Sequence, residues 1–156
     1  LVHKIAAREV HRQYLALAHK VWTGASPHTI EAAIGRDPAN RLRMAVVDLT
    51  RHSGKTAKTH FHVLSQNEQG CLVRCILETG RTHQIRVHMA SLKLPLVGDT
   101  LYGGSIHALM PRQALHAERL SFDHPMTGQA MDFSSPLPAD FENLRQAWSL
   151  SYNEIA

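Results

Sequence analysis

The chain has 156 residues and a formal net charge of +4 with histidine neutral, for a sequence pI of about 9.4. That length suits a single domain with one real core. The sequence has no run of about 20 apolar residues to span a membrane and no signal-peptide pattern. Its mild basicity permits a polyanion partner such as RNA without requiring one.

Taken in chain order, Leu1–Glu9 has the residue types of a helix end. Val10–His19 puts Tyr14, Ala16 and Ala18 on one face and Leu15 and Leu17 on the other. Apolar residues on both faces predict a central strand. Ser26–Arg43 reads as irregular, with a turn at Asp37-Pro38. Met44–Asp48 is a short strand candidate, and Arg51–Lys58, rich in cations around Gly54, reads as an exposed loop. Thr59–Leu64 and Gly70–Leu77 predict a hairpin across the polar segment Ser65–Gln69. Cys71 and Cys75 fall on one face of the second strand, roughly 13 Å apart along it. That is too far for a disulfide, so they are expected as free thiols, which suits a reducing cytoplasm.

A helix of about three turns is predicted over Thr82–Leu92, because Ile85, His88, Met89 and Leu92 follow helical apolar spacing and Pro95 ends the run. Val97–Gly104 reads as a Gly-rich loop, Leu120 and Phe122 with the turn Met126–Gly128 as another hairpin, and Pro138–Trp148 as a final amphipathic helix. The expected class is α+β, a mixed but mostly antiparallel sheet with flanking helices.

Two arginines and two histidines fall between Arg81 and His88. Arg86 lies about 100° from the apolar stripe of its helix. It is either a solvated side chain or one drawn into a partly buried site, where it needs a carboxylate or phosphate. Arg81 and Thr82 fall at the helix start, which favours an anion, with Thr82 as the candidate N-cap. Tyr14 reads first as core packing, yet its hydroxyl needs a partner or its ring a flat ligand. Asp99, ahead of Thr100, reads as a turn former. His83 and His88 are five apart, the wrong interval for a zinc pair, and His60 and His62 have no third ligand nearby, so no metal is expected. Neither a nucleotide-binding glycine motif nor a nucleophile elbow occurs.

The segment Thr79-Gly80-Arg81-Thr82-His83-Gln84-Ile85-Arg86-Val87-His88-Met89, followed by Pro95-Leu96-Val97-Gly98-Asp99 and Tyr102-Gly103-Gly104, resembles the RluA family of pseudouridine synthases. Further matches run nearly end to end, from Arg8-Glu9-Val10 and Tyr14-Leu15-Ala16 to His124-Pro125 and Thr127-Gly128. Within the family the likeness is to the type that modifies large-subunit ribosomal RNA, with a transfer RNA pseudouridine synthase or a non-catalytic RNA-binding module as the alternative. The resemblance implies a cofactor-free isomerisation: the uracil–ribose C–N bond is cleaved, the base turns, and C5 bonds to the ribose. It implies that Arg86 salt-bridges a catalytic aspartate and that Tyr14 packs on the target base. Ile85 becomes a pocket wall, and Arg81, His83 and the Arg51–Lys58 loop become candidate phosphate contacts. A cytoplasmic monomer is expected. The family's HRLDxxTSG motif, which holds the aspartate, does not occur in these 156 residues. The chain therefore reads as the C-terminal two-thirds of a catalytic domain, inactive alone and with part of its core uncovered.

Overall fold

The computed structural model describes residues 11–152, so the expected helix end at Leu1–Glu9 lies outside the described residues. Eight strands and two helices follow in order: β1 His11–Ala18, β2 His28–Glu31, β3 Ile34–Arg36, β4 Met44–Val46, β5 Lys58–Asn67, β6 Gly70–Leu77, α1 Gln84–Ser91, β7 Leu115–Asp123, β8 Ala130–Ser134 and α2 Ala139–Ala147. A short 3-10 turn, Thr100–Tyr102, sits between α1 and β7.

Six strands form one sheet in the order β2-β5-β6-β1-β7-β8, while β3 and β4 pair separately. Every pairing between these strands is antiparallel. β1 is central, as its two apolar faces require. Ala16 and Ala18 enter one apolar cluster with Phe61, Val73, Cys75, Ile85 and Met89. Leu15 and Leu17 enter a second, with Leu72, Phe141, Leu144 and Trp148. Helix α1 thus covers one face of the sheet and α2 the other. The small alanines of β1 leave room for the larger side chains of α1.

Several boundaries differ from the sequence expectation. The predicted irregular stretch contains β2 and β3. Their alternating and short patterns are too brief to register, and they form because β2 finds a ready partner in β5 and β3 in β4. The hairpin turn is tighter than Ser65–Gln69, since β5 runs to Asn67 with an irregularity between Val63 and Ser65. Both cysteines are fully buried free thiols. Burial pushes the Cys71 thiol up to about 11 and raises that of Cys75 as well. No helix among the described residues is long and apolar enough to cross a membrane.

One polar chain is sealed into the interface between α1 and the sheet. Gln84 donates to the Thr59 hydroxyl at 2.9 Å. The Thr59 Oγ1 and His88 Nδ1 lie 2.8 Å apart, and His88 Nε2 lies 3.0 Å from the Ala32 carbonyl. A neutral imidazole with its proton on Nε2 satisfies both contacts: it donates to Ala32 and accepts from Thr59. Burial lowers the His88 pKa, opposed by the bond to Ala32. Because the folded value lies below the unfolded one, this stabilisation is complete above about pH 6.5 and declines as pH falls towards the folded value. The urea midpoint is therefore expected to drop between about pH 7.5 and 5.5, before carboxylates titrate. A midpoint that is flat or rising across that window contradicts the assignment. Replacing His88 by Ala removes a fully buried ring and strands the Thr59 and Ala32 groups, an expected loss of about 2–4 kcal/mol by chemical denaturation.

Candidate active site

The segment from Thr79 to Met89 is a turn followed by a short helix, and its local bonds explain the shape. The helix is shorter than the predicted Thr82–Leu92. Thr82 is exposed and is not the cap: the N-cap position is taken by His83, whose φ of 57° is left-handed and whose side chain makes no capping bond. Gln84 organises the turn instead. Its Oε1 accepts from the Thr79 hydroxyl at 2.7 Å and from the Arg81 N–H at 3.0 Å, and its Nε2 also donates to the Lys58 carbonyl at 3.0 Å. A buried amide with all these partners is a rigid staple.

Helix α1 then divides its side chains. Ile85 and Met89 face the sheet in the cluster that Tyr14 packs against. Val87 joins Ile34, Ala57 and Tyr102 in a third cluster, on the side of β3 and β4. Arg86 is directed towards the loop after the helix. Its Nε and Nη2 donate to the two carboxylate oxygens of Asp99 at 2.9 and 2.8 Å. The Asp99 side chain is only 1% exposed and that of Arg86 14%. The Tyr102 ring lies under the guanidinium, 5.0 Å from Cζ to the ring centroid. Of the two sequence readings of Arg86, the structure thus selects the partly buried one, with a carboxylate partner. The hydrogen bonds that Arg86 donates to Asp99 raise its pKa, against the opposing effect of burial.

Asp99 keeps the expected turn role through its backbone, whose carbonyl accepts from the Tyr102 and Gly104 N–H groups. Its side-chain role was not visible in the sequence. The Asp99–Tyr102 spacing, which brings carboxylate and ring together through one 3-10 turn, was the available signal. Tyr102 holds this corner to the small sheet: its hydroxyl accepts from the Met44 N–H at 2.9 Å and lies 2.8 Å from His83 Nδ1. With Met44 donating, the phenol proton is free to go to His83. Burial, and then the nearby charge of Arg86, lower the His83 pKa, which favours the neutral ring.

The structure therefore brings Arg86 and His83 together around Tyr102, and Tyr14 together with Ile85. Tyr14 is half-buried and its hydroxyl makes no hydrogen bond among the described residues. It borders a shallow pocket of about 280 Å³ with Arg12, Ala117, Leu120 and Phe133. Leu120 and Phe133 are exposed there. Arg81 stands apart from Arg86. Its Nε donates to the Thr56 carbonyl at 2.7 Å, which fixes the turn to the cationic loop. Most of that loop is exposed, as predicted, but Ala57 is buried. No group of three or more His, Cys, Asp or Glu side chains among the described residues is placed to hold a metal ion.

Known proteins are similar to this chain over most of its length. The family model for RNA pseudouridylate synthase matches residues 1–91. The chain is 44% identical over 160 residues to the ribosomal large subunit pseudouridine synthase D of Xanthomonas campestris pv. campestris, covering 94% of this chain and 46% of that protein. It is 46% identical over 153 residues to the uncharacterized RNA pseudouridine synthase YlyB of Bacillus subtilis, covering 94% of this chain and 48% of the relative. The chain thus spans about half the length of these curated relatives. Among solved structures, human RNA Pseudouridylate Synthase Domain Containing 1 superposes with a TM-score of 0.76 at 28% identity, over 96% of this chain and 63% of that one. The chain belongs to the RNA pseudouridylate synthase family.

Proposed function

We propose that this chain is the greater part of the catalytic domain of an enzyme that isomerises uridine to pseudouridine in large-subunit ribosomal RNA. The observation that carries the reading is the state of Arg86. Asp99 occupies Nε and Nη2, yet Nη1 makes no hydrogen bond among the described residues. A guanidinium held on one edge and open on the other can receive a second carboxylate, here the family's aspartate, supplied from outside these 156 residues. Asp99 is then a positioning residue, not the nucleophile, because both its oxygens are engaged.

Tyr14 supports the same reading. Its ring packs against the cluster that contains Ile85, its hydroxyl makes no hydrogen bond among the described residues, and the pocket beside it sets the apolar Ala117, Leu120 and Phe133 next to Arg12. A flat extruded base suits such a surface. Ribosomal RNA is favoured because similar proteins, in Xanthomonas campestris and in Pseudomonas aeruginosa (47% identical), carry the name ribosomal large subunit pseudouridine synthase D. The reading implies a cytoplasmic protein that acts as a monomer without a cofactor.

Mapping pseudouridine in ribosomal and transfer RNA, from cells with and without the gene, tests the substrate. Loss of a large-subunit ribosomal site is expected. Loss confined to transfer RNA overturns the ribosomal assignment, and no loss anywhere overturns the function. The 156 residues alone are expected to form no pseudouridine, and turnover by that segment would contradict the missing-carboxylate argument. In the complete enzyme, Asp99→Asn is expected to lower kcat about a hundredfold through misplacement of Arg86, with KM changed far less. A rise in KM at constant kcat would instead assign Asp99 to RNA binding. Asp99→Ala leaves Arg86 without its partner in a largely buried site, an expected loss of about 3 kcal/mol in stability.

A further inference from the structure

Several lysines and arginines among the described residues form no ion pair, and four of them lie beside the Thr79–Gln84 turn. Arg36, Lys55 and Arg81 line a groove of about 520 Å³ between β3, the cationic loop and that turn. None of the three forms an ion pair among the described residues: Arg36 reaches only the Arg41 carbonyl at 3.4 Å, and Arg81 donates to Thr56. Backbone contact builds this groove. Ile34 and Lys55 exchange both their N–H···O bonds at 2.9 Å. A Cβ on Gly35 would stand 2.1 Å from the Ser53 carbonyl oxygen, and one on Gly54 would stand 2.7 Å from that of Ile34. Only glycine at both positions lets the loop lie against β3 and fixes the origins of Arg36 and Lys55.

The fourth cation is Arg12. It shares a face of β1 with Tyr14, two residues away. Its buried Nε has no hydrogen-bond partner among the described residues, an unfavourable state for a charged group unless a ligand completes it. Its guanidinium lies against Gly80, where a Cβ would meet Nη1 at 2.2 Å. Gly80 also lines the groove, so the turn connects the groove to Tyr14.

We infer that Arg36, Lys55, Arg81 and Arg12 form one phosphate track, which leads the backbone of a single RNA strand past Gly80 to Tyr14. This rests on the proposed action on RNA. Positive groups bind the strand through its phosphates and set its register, without reading sequence.

The test is fluorescence anisotropy of a labelled oligouridine on the complete protein, titrated from about 50 to 200 mM salt. Arg36→Gln, Lys55→Gln and Arg12→Gln are each expected to reduce the slope of log K against log salt by about 0.7, the contribution of one single-strand phosphate. Lys20→Gln and Lys93→Gln, in a separate pocket beyond the C-terminal end of α1, are expected to leave it unchanged. Gly80→Ala keeps every charge but displaces the Arg12 guanidinium, and should weaken binding as Arg12→Gln does. Thermal melts establish that each variant is folded, and Arg12→Met, which keeps the apolar stem without the charge, replaces Arg12→Gln if the latter is not. Equal slope changes in all variants, no RNA binding by the parent chain, or equal displacement of the RNA by polyglutamate would each overturn the track. Pseudouridine mapping reads the enzymatic proposal separately. Its failure alongside the expected slopes would sink the activity and leave the track standing.

Discussion

Burial of β1 on both faces is the constraint on which the other elements depend. Leu15, Ala16, Leu17 and Ala18 are wholly inaccessible. Their backbone groups are paired to β6 on one side; on the other, Leu15 and Ala16 pair with β7, Leu17 bonds to Ala114 and Val97, and Ala18 bridges to Leu96. A strand enclosed in this way has no freedom to slip, because a one-residue shift would exchange the alanine face for the leucine face. Helix α1 can approach the sheet only where alanines leave space, and α2 packs where leucines fill it. The register also fixes Arg12 and Tyr14 at the open end of the alanine face, next to the turn that starts α1. The irregularity between Gln13 and Tyr14 against β7 falls at this same place. Such bulges re-aim side chains at the ends of pairing.

The Arg86–Asp99 pair has a different logic. Two charges removed from water rarely add stability over an apolar pair of the same volume. The geometry here is nonetheless costly to replace. Two parallel N–H···O bonds, a tyrosine ring beneath the plane, and a 3-10 turn presenting the carboxylate all act on one guanidinium. Lysine would lose the fork and the stacking at once. Fixing Arg86 to this extent determines where its remaining N–H groups point, which matters for a group that must meet a reacting partner rather than for one that only holds the fold.

Much of this was legible in the sequence. The alternation of residues 14 to 18 identified β1 as central, and the helical spacing of Ile85, His88 and Met89 identified α1. Phe141, Leu144 and Trp148 identified the buried face of α2. Arg86 stood out because it flanked the apolar stripe. The missed features were all non-local. β2 and β3 have four and three residues, too few for periodicity, and exist through their partners. Thr82 has the chemistry of an N-cap, but the turn is held by Gln84, whose partners come from Lys58 and Thr59 as well as from its own segment. Asp99 has the look of a turn residue and is one. Only the folded path of the chain shows that its side chain meets Arg86. Propensity describes what a residue does with its neighbours in sequence, and these three act across space.

The unequal fate of the cations follows from the same geometry. Arg74 forks onto Glu118 at 3.0 and 2.9 Å, beside Tyr152, and ties β6 to β7 across the middle of β1. Arg112 forks onto Asp140 at the start of α2, and Arg119 onto Asp132 across the β7–β8 pair. Each of these pairs joins two elements, so each has a structural reason. Arg36, Lys55 and Arg12 form no ion pair among the described residues, although the backbone at Gly35 and Gly54 is closely fitted and Gly80 abuts the Arg12 guanidinium. Gly35 and Gly54 let the loop lie on β3 and Gly80 leaves room for the Arg12 guanidinium, so these glycines also fix where the three cations stand. Glycines that set the positions of unpaired cations make sense when the spacing between those cations matters. Spacing matters when the partner carries charge at a regular interval, as a nucleic acid backbone does.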